Sequence, residues 1–191
     1  MEKVAHRKKV LEELAKMSPE EHHEKSRRII SNLMNDPAFI AADIIGLTIS
    51  SFPEVDTKEL IRSIWASGKK AAVPKCLPKS RGMDFYIIED WNQLEVVYMH
   101  LQEPKTDEAQ FVPPHGIGLM VVPGVVFSKD GYRIGFGGGY YDRYLAGYTG
   151  ETRSLAFDVQ LAEAIAEEPH DVPVGGIYTE SGFIDTKGAD R

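Results

Sequence analysis

The segment Gly131–Leu145, GYRIGFGGGYYDRYL, gathers the residues whose chemistry is easiest to name. Gly135, Gly137, Gly138 and Gly139 remove four side chains from five positions. Backbone amides there can approach a ligand closely and adopt positive φ where needed. A helix entered at Tyr140 would turn its unpaired N–H groups toward the loop, an arrangement that suits an anion. The standard nucleotide patterns do not fit: G-x-G-x-x-G needs glycine where Tyr140 stands, and G-x-x-x-x-G-K-[ST] occurs nowhere. A tight irregular turn is the plain alternative, but this glycine density at a helix start favours a ligand loop. Arg133, just before the glycines, offers a planar fork suited to phosphate. Asp142 is at least a first-turn carboxylate that the helix dipole would favour. Tyr141 shares a helix face with Leu145 and Tyr148, as a core residue would.

Such a loop cannot act alone. A helix terminus offers an anion about 0.3–1 kcal/mol, whereas micromolar binding needs about 8 kcal/mol. Cationic side chains, a metal or both must converge on the same phosphates. Lys3 and Arg7, spaced i, i+4, lie on the helix face that Leu11 and Leu14 continue, while Lys8 and Lys9 point elsewhere. That pair is either a solvated helix end or part of an anion site. Glu54, in PEVDT, is either a solvated acid near a helix start or a ligand-binding carboxylate.

The elements that must hold these residues follow from periodicity and punctuation. Residues 2 to 16 read as a helix. Ser18-Pro19-Glu20-Glu21 opens a second, running to about Asn35, with Ser18 as N-cap and Glu21 completing a capping box. Asp36-Pro37 caps a short third. IIGLTIS (44–50) reads as a buried strand, and Asp56-Thr57-Lys58-Glu59 opens a helix that ends at Gly68. KAAVPKC, MDFYII, LMVVPG and SLAFDVQ supply further strands, and Pro104 to Gly118 reads as a long surface loop. Strand and helix in alternation predict a three-layer α/β fold, a mostly parallel central sheet flanked by helices, in one domain spanning 1–191.

Composition narrows the function classes. The 191 residues are 42% hydrophobic and 27% charged, as expected of a globular protein. A net charge of −7 argues against nucleic-acid binding. No apolar run approaches the roughly 20 residues of a membrane span, and the N-terminus lacks a signal-peptide core, so a cytoplasmic location is expected. The single cysteine, Cys76, excludes an internal disulfide. None of the six histidines has metal-ligand spacing with a carboxylate, and they read as surface or incidental. Oligomeric state is not legible at this level.

Lys3-x-x-x-Arg7, PEVDT after the first strand, and YRIGFGGGYYDRYL after a VPG turn together resemble the 5-formyltetrahydrofolate cyclo-ligase family over essentially the whole chain. The resemblance implies an enzyme that uses ATP and Mg²⁺ to convert 5-formyltetrahydrofolate into 5,10-methenyltetrahydrofolate, releasing ADP and phosphate. It implies that the γ-phosphoryl group passes to the formyl oxygen, making it a leaving group, before N10 closes the ring. By motif, it places Lys3, Arg7 and the run Arg133, Ile134, Gly135, Phe136, Gly137, Gly138, Gly139, Tyr140 and Tyr141 at ATP. The stretch from Phe136 to Tyr140 would also meet the folate, with Ile49 and Glu54. Asp142 and Asp171 would hold magnesium, and Arg133 and Asp142 would carry the chemistry. Some members have Arg and Lys where this chain has Phe136 and Gly138. Another ATP-using or sugar-phosphate enzyme on a similar scaffold, or a non-catalytic folate or nucleotide binder, are the competing readings.

Overall fold

The computed structural model describes residues 2–186. Its helices are α1 (Lys3–Ala15), α2 (Pro19–Met34), α3 (Pro37–Ala41), α4 (Thr57–Ala66) and α5 (Tyr140–Ala146). Its strands are β1 (Ile44–Gly46), β2 (Lys70–Leu77), β3 (Gly82–Ile88), β4 (Leu94–Tyr98), β5 (Leu101–Pro104), β6 (Gln110–Val112), β7 (Leu119–Val121), β8 (Val126–Ser128), β9 (Arg133–Ile134), β10 (Glu151–Leu155), β11 (Leu161–Ala162), β12 (Gly176–Thr179) and β13 (Gly182–Asp185).

The helix starts follow their caps. Ser18 Oγ accepts from Glu21 N at 3.1 Å, Asp36 caps α3 through Ala38 N, and Asp56 accepts from Lys58 N and Glu59 N. The capping box expected at Ser18 is only half made, because Glu21 Oε1 turns to Lys25 Nζ at 2.7 Å. Gly68 ends the turn after α4 with φ +76°, a conformation glycine adopts freely.

The main sheet has the order β13-β12-β10-β7-β1-β2-β3-β6. The five strands from β12 to β2 run parallel, and β13, β3 and β6 add antiparallel edges. One face, with Ile45, Ala71, Val73, Leu119 and Val121, packs against α1, α2 and α4. The other, with Ala72, Phe85, Met120 and Ile177, is covered by α5 through Leu145 and its tyrosines. This is the three-layer α/β arrangement that the alternation of elements predicts. None of the described helices is long and apolar enough to cross a membrane.

Three departures from the sequence reading have physical reasons. The surface loop expected over Pro104–Gly118 contains β6, which pairs with β3 from Phe85 to Ile87; three residues are too few to show a period. The hairpin β4–β5 is likewise not among the strands expected from the sequence. Regular pairing of β1 stops at Gly46 rather than Ser50. Beyond it, Ser50 and Thr57 bond reciprocally, Ser50 N to Thr57 Oγ1 at 2.8 Å and Thr57 N to Ser50 Oγ at 2.9 Å. Thr57 Oγ1 also donates to Thr48 O at 2.7 Å, so these residues are tied to the start of α4.

Candidate active site

Chain order around the middle of the sheet creates an opening. From β1 the chain crosses by α4 to β2 on one side, and from β7 it passes by α5 to β10 on the other. The connections therefore diverge between β1 and β7, and ligands in α/β sheets settle beyond the carboxyl ends of strands at such a point. A cleft lies there, lined by Thr48 and Ser50 after β1, Val122 to Gly124 after β7, and Glu54. Its interior volume is small, about 30 Å³, and it opens to solvent.

Glu54 is the unusual group in this cleft. Its carboxylate has no hydrogen-bond partner among the described residues, and burial pushes its pKa up to about 7. Its backbone is nevertheless held firmly. His22 Nε2 lies 2.6 Å from Glu54 O, so that nitrogen carries the donated proton, and Ser26 Oγ accepts from Asp56 N at 3.2 Å. The His22 ring packs between Phe52 and Phe157. His22 is therefore neither a surface nor an incidental histidine, contrary to the expectation for all six; a contact across 32 positions leaves no local signal. Ile49 belongs to the core and does not line the cleft, which falls to its neighbours Thr48 and Ser50.

The glycine loop enters from the small sheet β11-β8-β9, not from a strand of the main sheet. Gly137 and Gly139 have φ of +99° and +72°, and Gly139 caps α5 with no side chain. Phe136 at the tip is exposed. Arg7 Nε donates to Gly135 O at 2.7 Å, so the N-terminal helix does reach the loop. Lys8 and Lys9 point into solvent, as the helix period requires. Tyr141 anchors the other side: its hydroxyl lies 2.5 Å from Thr48 Oγ1, which joins the loop's helix to the wall of the Glu54 cleft. Burial raises the Tyr141 pKa far above the ordinary tyrosine range, so the hydroxyl stays protonated.

Arg133 is not the open phosphate fork that its place before the glycines suggests. Its side chain is 5% exposed, and Nη2 donates to Asp142 Oδ1 at 3.0 Å while Nη1 donates to Val172 O at 2.9 Å. Burial lowers the guanidinium's pKa, and Asp142 works against that by favouring its charged form. Val172 N also donates to Asp142 Oδ1, at 3.2 Å, leaving Oδ2 outside these contacts. The neighbouring Asp171 lies 3.5 Å from Lys3 Nζ and accepts from Glu168 N through the same Oδ2. Glu168, His170 and Asp171 bring ligand atoms within 4.8 Å of one another, with His170 on the surface as expected. Asp142 stands outside that trio, tied to it through Val172. Hard carboxylate oxygens of this kind fit Mg²⁺ better than a soft metal.

One further residue, with no local signal to mark it, meets the loop. Arg81, in the β2–β3 turn, donates from Nη1 to Gly138 O at 3.2 Å.

Fold and site together define an α/β protein with a switch-point cleft beside a cation-flanked glycine loop. Residues 1–180 match the profile of the 5-formyltetrahydrofolate cyclo-ligase family, so the chain belongs to that family and is an enzyme of the cyclo-ligase type. A curated relative from Escherichia coli K12, 5-formyltetrahydrofolate cyclo-ligase, is 30% identical over 169 residues, covering 86% of this chain and 93% of the relative. The mouse protein of the same name is 25% identical over 185 residues, covering 91% of each chain. Among solved structures, 5,10-methenyltetrahydrofolate synthetase from Aquifex aeolicus superposes with a TM-score of 0.87 at 31% identity, covering all of this chain and 96% of that one.

Proposed function

We propose that the chain converts 5-formyltetrahydrofolate into 5,10-methenyltetrahydrofolate with ATP, releasing ADP and phosphate, and that Asp142 and Asp171 hold Mg²⁺. The observation that carries this reading is the 2.5 Å contact between Tyr141 and Thr48. It gives the anion loop and the Glu54 cleft a common wall, as transfer between two bound substrates requires.

Each half has a role that its own chemistry supports. Glu54, partly desolvated and without a hydrogen-bond partner among the described residues, is suited to accept the N–H donors of a pterin ring. Loop amides and Arg7 would face the phosphates. Arg133 acts through Asp142, holding one carboxylate oxygen and leaving the other outside that contact; it is a positioning residue. Bound Mg²⁺ would neutralise phosphate charge. The formyl oxygen takes the γ-phosphoryl group, N10 attacks the formyl carbon, and phosphate departs as the ring closes. Phosphoryl transfer of this kind needs alignment and charge neutralisation more than a protein nucleophile, and Cys76 does not compete for that role, because burial raises its thiol pKa to about 11. The test is methenyl formation followed by absorbance in complete mixtures and in mixtures lacking ATP or Mg²⁺. Product should appear only in the complete mixture; its absence there, or its formation without ATP, would refute the proposal.

A further inference from the structure

The β2–β3 hairpin turns through Pro78, Lys79, Ser80 and Arg81, and Arg81 has φ +62°. That left-handed conformation suits glycine and disfavours residues with a Cβ. Glycine occupies the very next position, Gly82, so an arginine at 81 is a poor choice for the turn itself. Its side chain shows what it does instead. Although Arg81 is exposed, its Nη1 donates to Gly138 O at 3.2 Å and its guanidinium lies 5.8 Å from the centre of the Tyr140 ring.

Arg7 makes the matching contact at the other end of the loop, through Nε to Gly135 O. Two guanidinium groups from separate elements thus grip one glycine loop, each by a single N–H. A guanidinium carries five donors, so most of each fork is left for another acceptor. Residues 135 to 139 contain no charged side chain, and a loop presenting amides with a cation at each end is matched to a multiply charged oxyanion. A structural tie would need only one neutral donor.

We infer that Arg81 is a binding residue for the nucleotide's phosphates, forming with Arg7 a two-sided clamp over the glycine loop. The inference rests on reading that loop as the ATP site. A carboxylate tail on the folate shares the same chemistry, but the loop amides and Arg7 at its far end favour phosphate.

The test compares wild type with Arg81→Gly, Arg81→Gln and Arg81→Lys by ATP titration, thermal unfolding, and separate KM values for ATP and for folates of different tail length. Arg81→Gly relieves the turn, so its unfolding temperature should equal or exceed wild type. Its ATP dissociation constant and KM should rise about tenfold or more, the loss typical of a charge-assisted hydrogen bond. Folate KM should stay within about twofold. Arg81→Gln keeps a donor for Gly138 O but no charge and should bind ATP as poorly; Arg81→Lys, lacking the fork, should fall between. Unchanged ATP affinity in Arg81→Gly, or recovery in Arg81→Gln, would make Arg81 a loop tie and overturn the clamp. A loss confined to folates with longer tails would also overturn it. Failure of the wild type itself to bind ATP would instead overturn the underlying reading, before any substitution is made.

Discussion

The glycine loop and the Glu54 cleft meet at one hydrogen bond, yet they are built in opposite ways. The loop is exposed at its tip, made mostly of glycines, and flanked by cations borrowed from α1 and the β2–β3 turn. The cleft is cut from the ends of parallel strands, braced by Ser50–Thr57 and His22–Glu54 contacts, and holds a carboxylate that has no hydrogen-bond partner among the described residues. The difference is instructive. Phosphates arrive with their charge and need a surface that donates many hydrogen bonds. A flat, mostly neutral heterocycle needs a fixed wall with one acceptor kept out of water. Tyr141 and Thr48 hold the two together.

The largest predicted effect falls on the phosphate side. Asp142→Ala should lower turnover about a hundredfold or more. It should also reduce unfolding free energy by about 3 kcal/mol, because Arg133 would be left buried without its counter-charge. Asp142→Asn keeps an oxygen acceptor for Arg133 and Val172 but not the charge; in denaturant titrations it should recover part of that stability, while turnover stays low. Normal turnover in Asp142→Asn would remove Asp142 from the chemistry.

The cleft should respond in the reverse sense. Glu54's pKa is raised on folding, so the folded state holds its proton more tightly than the unfolded chain. Its destabilising effect is absent below pH 4.5, grows as pH rises toward 7, and is complete above that. At about 1.4 kcal/mol per pH unit, the gap amounts to about 3 kcal/mol. Glu54→Gln should therefore stabilise the ligand-free protein at pH 8 by up to that amount and flatten its melting-temperature profile between pH 5 and 8. At the same time, folate KM should rise by about tenfold or more with ATP KM unchanged. A variant less stable than wild type at pH 8 would contradict the buried-carboxylate account.

Smaller effects probe the seam and the brace. Tyr141→Phe should reduce stability by about 1 kcal/mol and lower kcat several-fold, with each substrate binding separately almost as in wild type. His22→Ala, which removes the brace on Glu54's backbone and the ring packed between Phe52 and Phe157, should raise folate KM a few-fold and leave ATP KM alone. If both KM values moved together, His22 would be a general stability residue.

Legibility divided along the same line. The loop announced itself because four glycines within five residues carry their meaning locally, as did the helix caps at Ser18, Asp36 and Asp56. The i, i+4 spacing of Lys3 and Arg7 correctly set their face of α1, though its destination was visible only in three dimensions. Arg133 misled because adjacency to the loop says nothing about which way a fork points. Thr48, His22 and Arg81 were silent for a common reason: their partners lie 93, 32 and 57 positions away. The parallel centre of the sheet was readable from strand–helix alternation, whereas the edge strand β6 and the hairpin β4–β5 were not. Short edge strands owe their pairing to neighbours more than to their own pattern.

The central claim is that both halves of the site serve one coupled reaction. The most direct measurement is the ratio of ADP released to methenyl product formed, followed simultaneously in wild-type protein with both substrates and Mg²⁺. Equal amounts are expected throughout the time course, and negligible ADP when folate is omitted. Methenyl product in excess of ADP, or ADP released steadily without folate, would contradict that claim.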